Sequence, residues 1–222
     1  MVERISLFLP FYLGHVNCYL IKTADGFVLI DTGGTNQRQK LLRQLASCQC
    51  SPGKLRLIIL THGDFDHSGN AAYLREHFGG RIAMSPLDQG MIEHRDLTYN
   101  RKGTPHFAKP FLPWIYVFGK SDQFIPDIPL YDGTDLTSEG FSATVYSIPG
   151  HTKGSVAVLT IGGDLFCGDL LVCRNRVVMN TLLDDREDAA ASIRKLRNLP
   201  AHMVYPGHGK PFPMNDFTKE HF

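Results

Sequence analysis

Thr61-His62-Gly63-Asp64-Phe65-Asp66-His67-Ser68-Gly69-Asn70 follows directly on the apolar run Leu57-Ile58-Ile59-Leu60. His62, Asp64, Asp66 and His67, all side chains that bind cations, fall together where a strand-like stretch stops. A strand that ends in ligands delivers them from a rigid base, where a cation can be held with a position open for chemistry. His62, Asp64 and Asp66 alternate while His67 follows Asp66 directly, so a tight loop can turn two ligands toward one metal and two toward a neighbour. The plainer alternative is a solvated turn with a helix cap, because surface loops also collect Asp, Gly and His.

Other stretches repeat the pattern and favour the metal. Ile148-Pro149-Gly150-His151-Thr152-Lys153-Gly154-Ser155, Cys167-Gly168-Asp169 and Tyr205-Pro206-Gly207-His208-Gly209 each set a His or Asp where a β pattern stops and glycine lets the backbone turn. Asp31-Thr32-Gly33-Gly34 does the same after Gly26-Phe27-Val28-Leu29-Ile30.

Taken in order, these motifs resemble the five motifs of the metallo-β-lactamase superfamily, from about Asn17 to Gly209. The resemblance implies an α/β fold, a four-layer αββα sandwich, with a dinuclear site at one edge of its two sheets. It assigns one metal to His62, Asp64 and His151 and the other to Asp66, His67 and His208, with Asp169 bridging. Asp31 is implied to lie behind the site and orient a ligand; alternatively it simply leads into Gly33-Gly34. Two divalent cations are implied, zinc first, with iron or manganese as alternatives.

One position departs from the family pattern H-x-H-x-D-H, because Asp64 stands where the second His is usual. The exchange adds a negative charge to the cluster, which favours harder, oxygen-preferring metals. It also predicts weaker Lewis acidity and a bound water of somewhat higher pKa. The family's oxygen-reducing di-iron flavoproteins similarly carry a carboxylate here.

At 222 residues with 43% hydrophobic content, the chain is long enough for one layered domain over 1–222. A formal net charge of +1 supplies no basic field for nucleic acid. No apolar run approaches the length that spans a bilayer, and Met1 to Pro10 lacks the features of a secretory signal. Neither nucleic acid nor membrane is an expected partner, and a cytoplasmic location is expected. The five cysteines (18, 48, 50, 167 and 173) form no disulfide-like framework and suit a reducing compartment. Cys18 and Cys167 read as core residues, and Cys48-Gln49-Cys50 has no second ligand pair to make a metal site.

Around the motifs, strands are predicted at Asn17 to Ile21, Phe27 to Ile30, Thr144 to Tyr146 and Ser155 to Ile161, the last turning at Gly162-Gly163 into Leu165-Phe166-Cys167. Helices are predicted over Thr35 to Ala46, Asn70 to Phe78 and from about Asp184 to before Pro200. Ser85 to Pro129 is rich in Pro and aromatics, including Phe107, Phe111, Trp114, Tyr116, Phe118 and Phe124. Aromatics argue against disorder, so a partly helical flap over the site at about 85–129 is expected. A packing excursion or a homodimer contact is the alternative. His15, just ahead of the first inner strand, is a further candidate for the pocket.

The function implied is a metal-dependent hydrolase in which a bridging hydroxide attacks a thioester, lactone or related ester of a small molecule. Asp66 and Asp169 are its expected catalytic carboxylates, Asp66 orienting the nucleophile or moving protons. Gly150-His151-Thr152 and Pro206-Gly207-His208-Gly209 look most like the hydroxyacylglutathione hydrolase (glyoxalase II) and lactonase branch. The chain ends soon after His208, without the C-terminal helical extension from which the larger glyoxalases draw glutathione contacts. An iron-dependent oxidoreductase, either an oxygen-reducing di-iron centre or a sulfur dioxygenase, is the first alternative. A non-enzymatic binding relative is the second, and the complete ligand set argues against it.

Overall fold

The computed structural model describes residues 1–9, 14–102 and 122–219. Its strands form two sheets. In the first, β1 (Val2–Phe8), β2 (His15–Lys22), β3 (Phe27–Ile30), β4 (Leu55–Ile59), β5 (Arg81–Met84) and β6 (Ile128–Pro129) lie side by side in chain order. The second runs β12 (Phe212–Pro213), β11 (Met203–Gly209), β9 (Asp164–Cys173), β8 (Val156–Thr160), β7 (Ala143–Ser147), with β10 (Val177–Met179) paired to β9. β3, β4, β5 and β6 run parallel, as do β9 and β11, while the remaining pairs are antiparallel.

Side-chain alternation turns these sheets into four layers. On β2, Val16, Cys18 and Leu20 join one apolar cluster with Leu41 and Leu45 of helix α1 (Arg38–Ser47). Tyr19 and Ile21 face the other way, onto Val145, Val158 and Phe166 of the second sheet. Behind that sheet, Ala157, Leu159 and Leu165 pack on Ile193 and Leu196 of the later helix Arg186–Arg197. A period of two with both faces apolar needs cover on both sides, and the layers supply it. β4 breaks phase once: Phe27 pairs with Leu55 and Val28 with Leu57, so Arg56 is an extra residue and the strand regains its inward face beyond it.

Helices α2 (Phe65–Ser68) and α3 (Ala71–Phe78) follow β4, and α4 (Pro86–Glu93) follows β5. Ser85 Oγ accepts from the Leu87 N–H at 3.4 Å and Pro86 opens α4, which places Asp88 in its first turn. The helix Arg186–Arg197 is α5, capped by Asp185, whose Oδ1 accepts from the N–H groups of Glu187 at 2.9 Å and Asp188 at 3.1 Å. α6 spans Met214–Lys219.

Four sequence expectations shift. β1 was not anticipated, and its alternation buries Ile5 and Leu7 against α1. Asp66 and His67 sit in a short helix of their own, because α3 starts only at Ala71. Asp169 and His208 lie inside β9 and β11 rather than beyond them. The pairing between these strands slips twice, between Tyr205 and Pro206 and between Pro206 and His208, and Gly168 takes φ +50 at the slip. Glycine adopts that left-handed angle without cost, so β9 bends there and continues to Cys173. Of the flap expected over 85–129, α4, Phe124 and β6 are packed structure, with Phe124 buried on the first sheet's helix side, whereas Leu97 and Arg101 line a cavity. Residues 103–121, including Phe107, Phe111, Trp114, Tyr116 and Phe118, lie outside the described residues. Among the described residues no helix is long and apolar enough to cross a membrane.

Candidate metal centre

The parallel strands β4 and β11 carry their C-terminal ends to one rim of the sandwich, the usual place for a site in a parallel sheet. His62 leaves β4, Asp64 precedes α2 in extended conformation, and Asp66 and His67 lie in α2. His151 comes from the turn after β7, Asp169 from the bend of β9 and His208 from β11. Ligand atoms of three groups, His62/Asp64/His151, Asp66/His67/His208 and His62/His67/Asp169, converge to within 4.8 Å of one another.

Each imidazole is tied at Nδ1. His67 donates to Asp31 Oδ2 at 2.8 Å, His151 to the Leu182 carbonyl at 2.6 Å, and His208 to the His15 carbonyl at 2.7 Å. His62 Nδ1 meets Thr61 Oγ1 at 2.9 Å, and that hydroxyl donates to Asp31 Oδ2 at 2.8 Å. Tying Nδ1 fixes ring and tautomer and turns Nε2 toward the cluster. His62 Nε2 and His67 Nε2 are buried without a hydrogen-bond partner, and so is Asp169 Oδ1, which lies 3.3 Å from His67 Nε2 without making a hydrogen bond. Buried polar atoms of this kind call for an unseen partner, and these suit a cation. Asp169 Oδ2 stands 3.0 Å from His208 Nε2 and 3.9 Å from His151 Nε2, between the two three-residue groups.

The electrostatics agree. Burial works against a protonated His208, but Asp169 outweighs it and pushes the pKa up to about 9. Burial likewise opposes charge on His67 and His151, yet Asp169 and Asp31 raise the first and Asp64 the second. Asp169, although burial pushes it up, is held well below the usual carboxylate range by His208 and His67. Carboxylates that draw protons onto buried imidazoles make a cluster short of positive charge, which divalent cations supply.

Asp64 points inward with one oxygen only. Its Oδ2 lies 3.0 Å from His151 Nε2 and 3.5 Å from His62 Nε2, while Oδ1 accepts from Arg101 Nη2 at 2.5 Å. Burial pushes the Asp64 pKa up, but the Arg101 guanidinium first, and then His151 and His62, hold it well below the usual range. Arg101 thus offsets part of the negative charge that Asp64 adds to the cluster.

Several supporting residues escaped the sequence. Asp88 is buried and joins two motif loops, its Oδ2 accepting from the Gly63 N–H at 3.0 Å and Thr152 Oγ1 at 2.6 Å, and its Oδ1 from the Gly154 N–H at 2.8 Å. Only a helix start at Ser85-Pro86 hinted at it. Tyr19 Oη and Asn17 Nδ2 both donate to the Pro206 carbonyl, at 2.7 Å and 3.0 Å, and so hold the His208 strand from across the sandwich. Asn70 Nδ2 donates to the carbonyls of Thr32, Gly33 and Gly34, clasping the Asp31 turn. His15 contributes its carbonyl, while its own ring packs edge-on against Phe8.

The cluster opens into a cavity of about 440 Å³. Asp64, Asp66, His151, Asp169 and His208 form its floor, Leu9, Phe65, Leu97, Val172 and Leu182 its apolar walls, and Arg101, Arg174, Asn180 and Thr181 its polar lining.

Known proteins resemble this chain in sequence and fold. Hydroxyacylglutathione hydrolase GloC of Haemophilus influenzae is 28% identical over 200 residues, covering 87% of this chain and 85% of its own. Beta-lactamase-like protein 2 homolog of Drosophila melanogaster is 26% identical over 193 residues, and this chain spans 58% of its length. The crystal structure of TTHA1623 in a di-iron-bound form superposes with a TM-score of 0.73 at 30% identity, covering 98% of this chain and 97% of that one. The family model for the metallo-beta-lactamase superfamily matches residues 11–208, and the chain belongs to that superfamily.

Proposed function

We propose that the chain is a dinuclear metal-dependent hydrolase acting on a thioester, lactone or related ester. The observation that carries this reading is the convergence of four imidazoles, each tied at Nδ1, with three carboxylates; the carboxylates, His151 and His208 line a cavity. His62, Asp64 and His151 would hold one divalent cation and Asp66, His67 and His208 the other, with Asp169 between them. When bound, the pair would supply Lewis acidity and a hydroxide nucleophile at neutral pH. Asp169 is kept ionised by its neighbours. Asp66 lines the cavity, and in this reading it would take a proton from a water there and orient it. Leu97, Val172 and Leu182 offer an apolar bed for the acyl portion. Thiolates leave with little protonation and lactone rings open readily, so the reaction does not depend on a strong general acid. The relationship to hydroxyacylglutathione hydrolase GloC supports the thioester.

The test is a panel of thioesters and lactones assayed with chelated protein and after return of zinc, manganese or iron. Metal-dependent turnover that His62→Ala abolishes without unfolding the chain is the expected result. Turnover that survives either chelation or that substitution would overturn the reading.

A second reading rests on TTHA1623 having been crystallised in a di-iron form. Under it the same residues hold iron and the reaction is oxidative. Iron as the metal of protein purified without added metal, together with oxygen consumption, would favour it over hydrolysis.

A further inference from the structure

We propose that Arg101 is a positioning residue that restricts Asp64 to one donor oxygen and thereby biases the His62/Asp64/His151 position toward zinc over manganese. The inference rests on the two-cation reading above. A free carboxylate can chelate a cation through both oxygens, a mode that suits cations taking six or more oxygen-rich ligands. Here Oδ1 is occupied by Arg101 Nη2 at 2.5 Å, and only Oδ2 faces His151 and His62. What remains is two imidazole nitrogens and a single oxygen, a set that suits four-coordinate zinc with one position open.

Arg101 is held in place. Its backbone N–H donates to the Thr98 carbonyl at 3.1 Å, and Thr98 is itself capped by Asp96 Oδ1. On the other side the Lys102 N–H donates to Asp184 Oδ1 at 2.5 Å and Lys102 Nζ meets Asp185 Oδ2 at 2.7 Å, which pins the segment to the start of α5. The ring of neighbouring Tyr99 packs closely on Gly90 of α4, where a Cβ would come within 2.2 Å of it. The guanidinium side chain is 22% exposed and the Asp64 side chain 17%, so their ion pair is largely shielded from water. A planar guanidinium fixes the plane of its carboxylate partner in a way that a lysine ammonium does not.

The experiment measures zinc and manganese dissociation constants of the full chain by competition with a chelating indicator, with bound metal counted by mass spectrometry. Arg101→Leu should lower the ratio of the manganese to the zinc constant about tenfold, the scale on which partners of metal ligands act. Arg101→Lys should shift it the same way by less, and carries the test if the leucine variant does not fold. If Arg101 works through Asp64, adding Arg101→Leu to Asp64→Asn should change the ratio no further. An unchanged ratio in both Arg101 variants, or an equal effect in the Asp64→Asn background, would overturn the proposal while leaving the metal site standing. A wild-type chain that takes up neither ion would instead defeat the two-cation reading beneath it.

Discussion

The Asp31 carboxylate accepts from His67 Nδ1 at 2.8 Å and, with its other oxygen, from the Thr61 N–H at 2.9 Å, so one buried side chain sets the rings of both histidines of the His62–His67 segment. It reaches His62 through Thr61 Oγ1. Asp31 holds φ +59, a left-handed angle that Asp and Asn tolerate better than other side chains. Asp31→Asn therefore keeps size and backbone while setting an amide N–H against one of these donors. It should weaken metal binding by roughly 10- to 100-fold with little change in fold, as read from metal titration and circular dichroism.

Asp88 joins the two loops that carry His62 and His151 through three hydrogen bonds. Asp88→Ala leaves the buried N–H groups of Gly63 and Gly154 without an acceptor, at a cost of about 3 kcal/mol, while Thr152 Oγ1 keeps Ser155 Oγ at 2.7 Å. Urea unfolding should show that loss, with Asp88→Asn falling between. A loss within experimental error would mean that the loops are held by other contacts.

The seven converging residues were readable in the sequence because short-range chemistry places them: most follow or interrupt a strand near a glycine, and the strands declare themselves by alternation. Thr61 to Asn70 needed no tertiary information. Asp88 and Arg101 were not readable in this way. Asp88 sits at a helix start, where Asp is ordinary, and only the meeting of α4 with the His62 and His151 loops gives it three donors. Arg101 lies 37 residues from Asp64, and no local pattern links them. The bend in β9 was hidden for a related reason, since Gly168 signals a turn and only pairing with β11 shows the strand running on.

Gly207 leaves room for the site. A Cβ there would lie 2.1 Å from Asp169 Oδ1 and 2.7 Å from His67 Cε1, closer than atoms can pack. Gly207→Ala should displace one or both ligands and lower metal affinity at least about tenfold, again on the scale of disturbed ligand positioning. Gly162→Ala is the matched control, because its Cβ would meet only Thr160 Oγ1 at 3.7 Å. Equal metal affinity in the two variants would show that the cluster accommodates the methyl group.

The stability of chelator-stripped protein should depend on pH in a way that returned metal abolishes. With Asp169 beside it, His208 has a folded-state pKa of about 9, above the roughly 6.5 of an unfolded histidine. A raised pKa means that the folded chain binds the proton more tightly, so this contribution is fully present below about pH 6.5 and lost as pH rises through about 9. His67 and His151 shift in the same direction. Asp64 and Asp169 are depressed, so their contribution is present above the unfolded carboxylate range and is lost only as pH falls through their low folded values. Together these make the stripped protein most stable in mildly acidic solution, with a melting temperature that declines from about pH 6.5 to 9 and beyond. Zinc binds deprotonated imidazole and replaces those protons, so the loaded protein should hold its stability over that interval and lose it in acid. Thermal melts across the range, with chelator and with zinc, separate the two profiles. Coincident profiles would mean that protons and metal do not compete for these histidines.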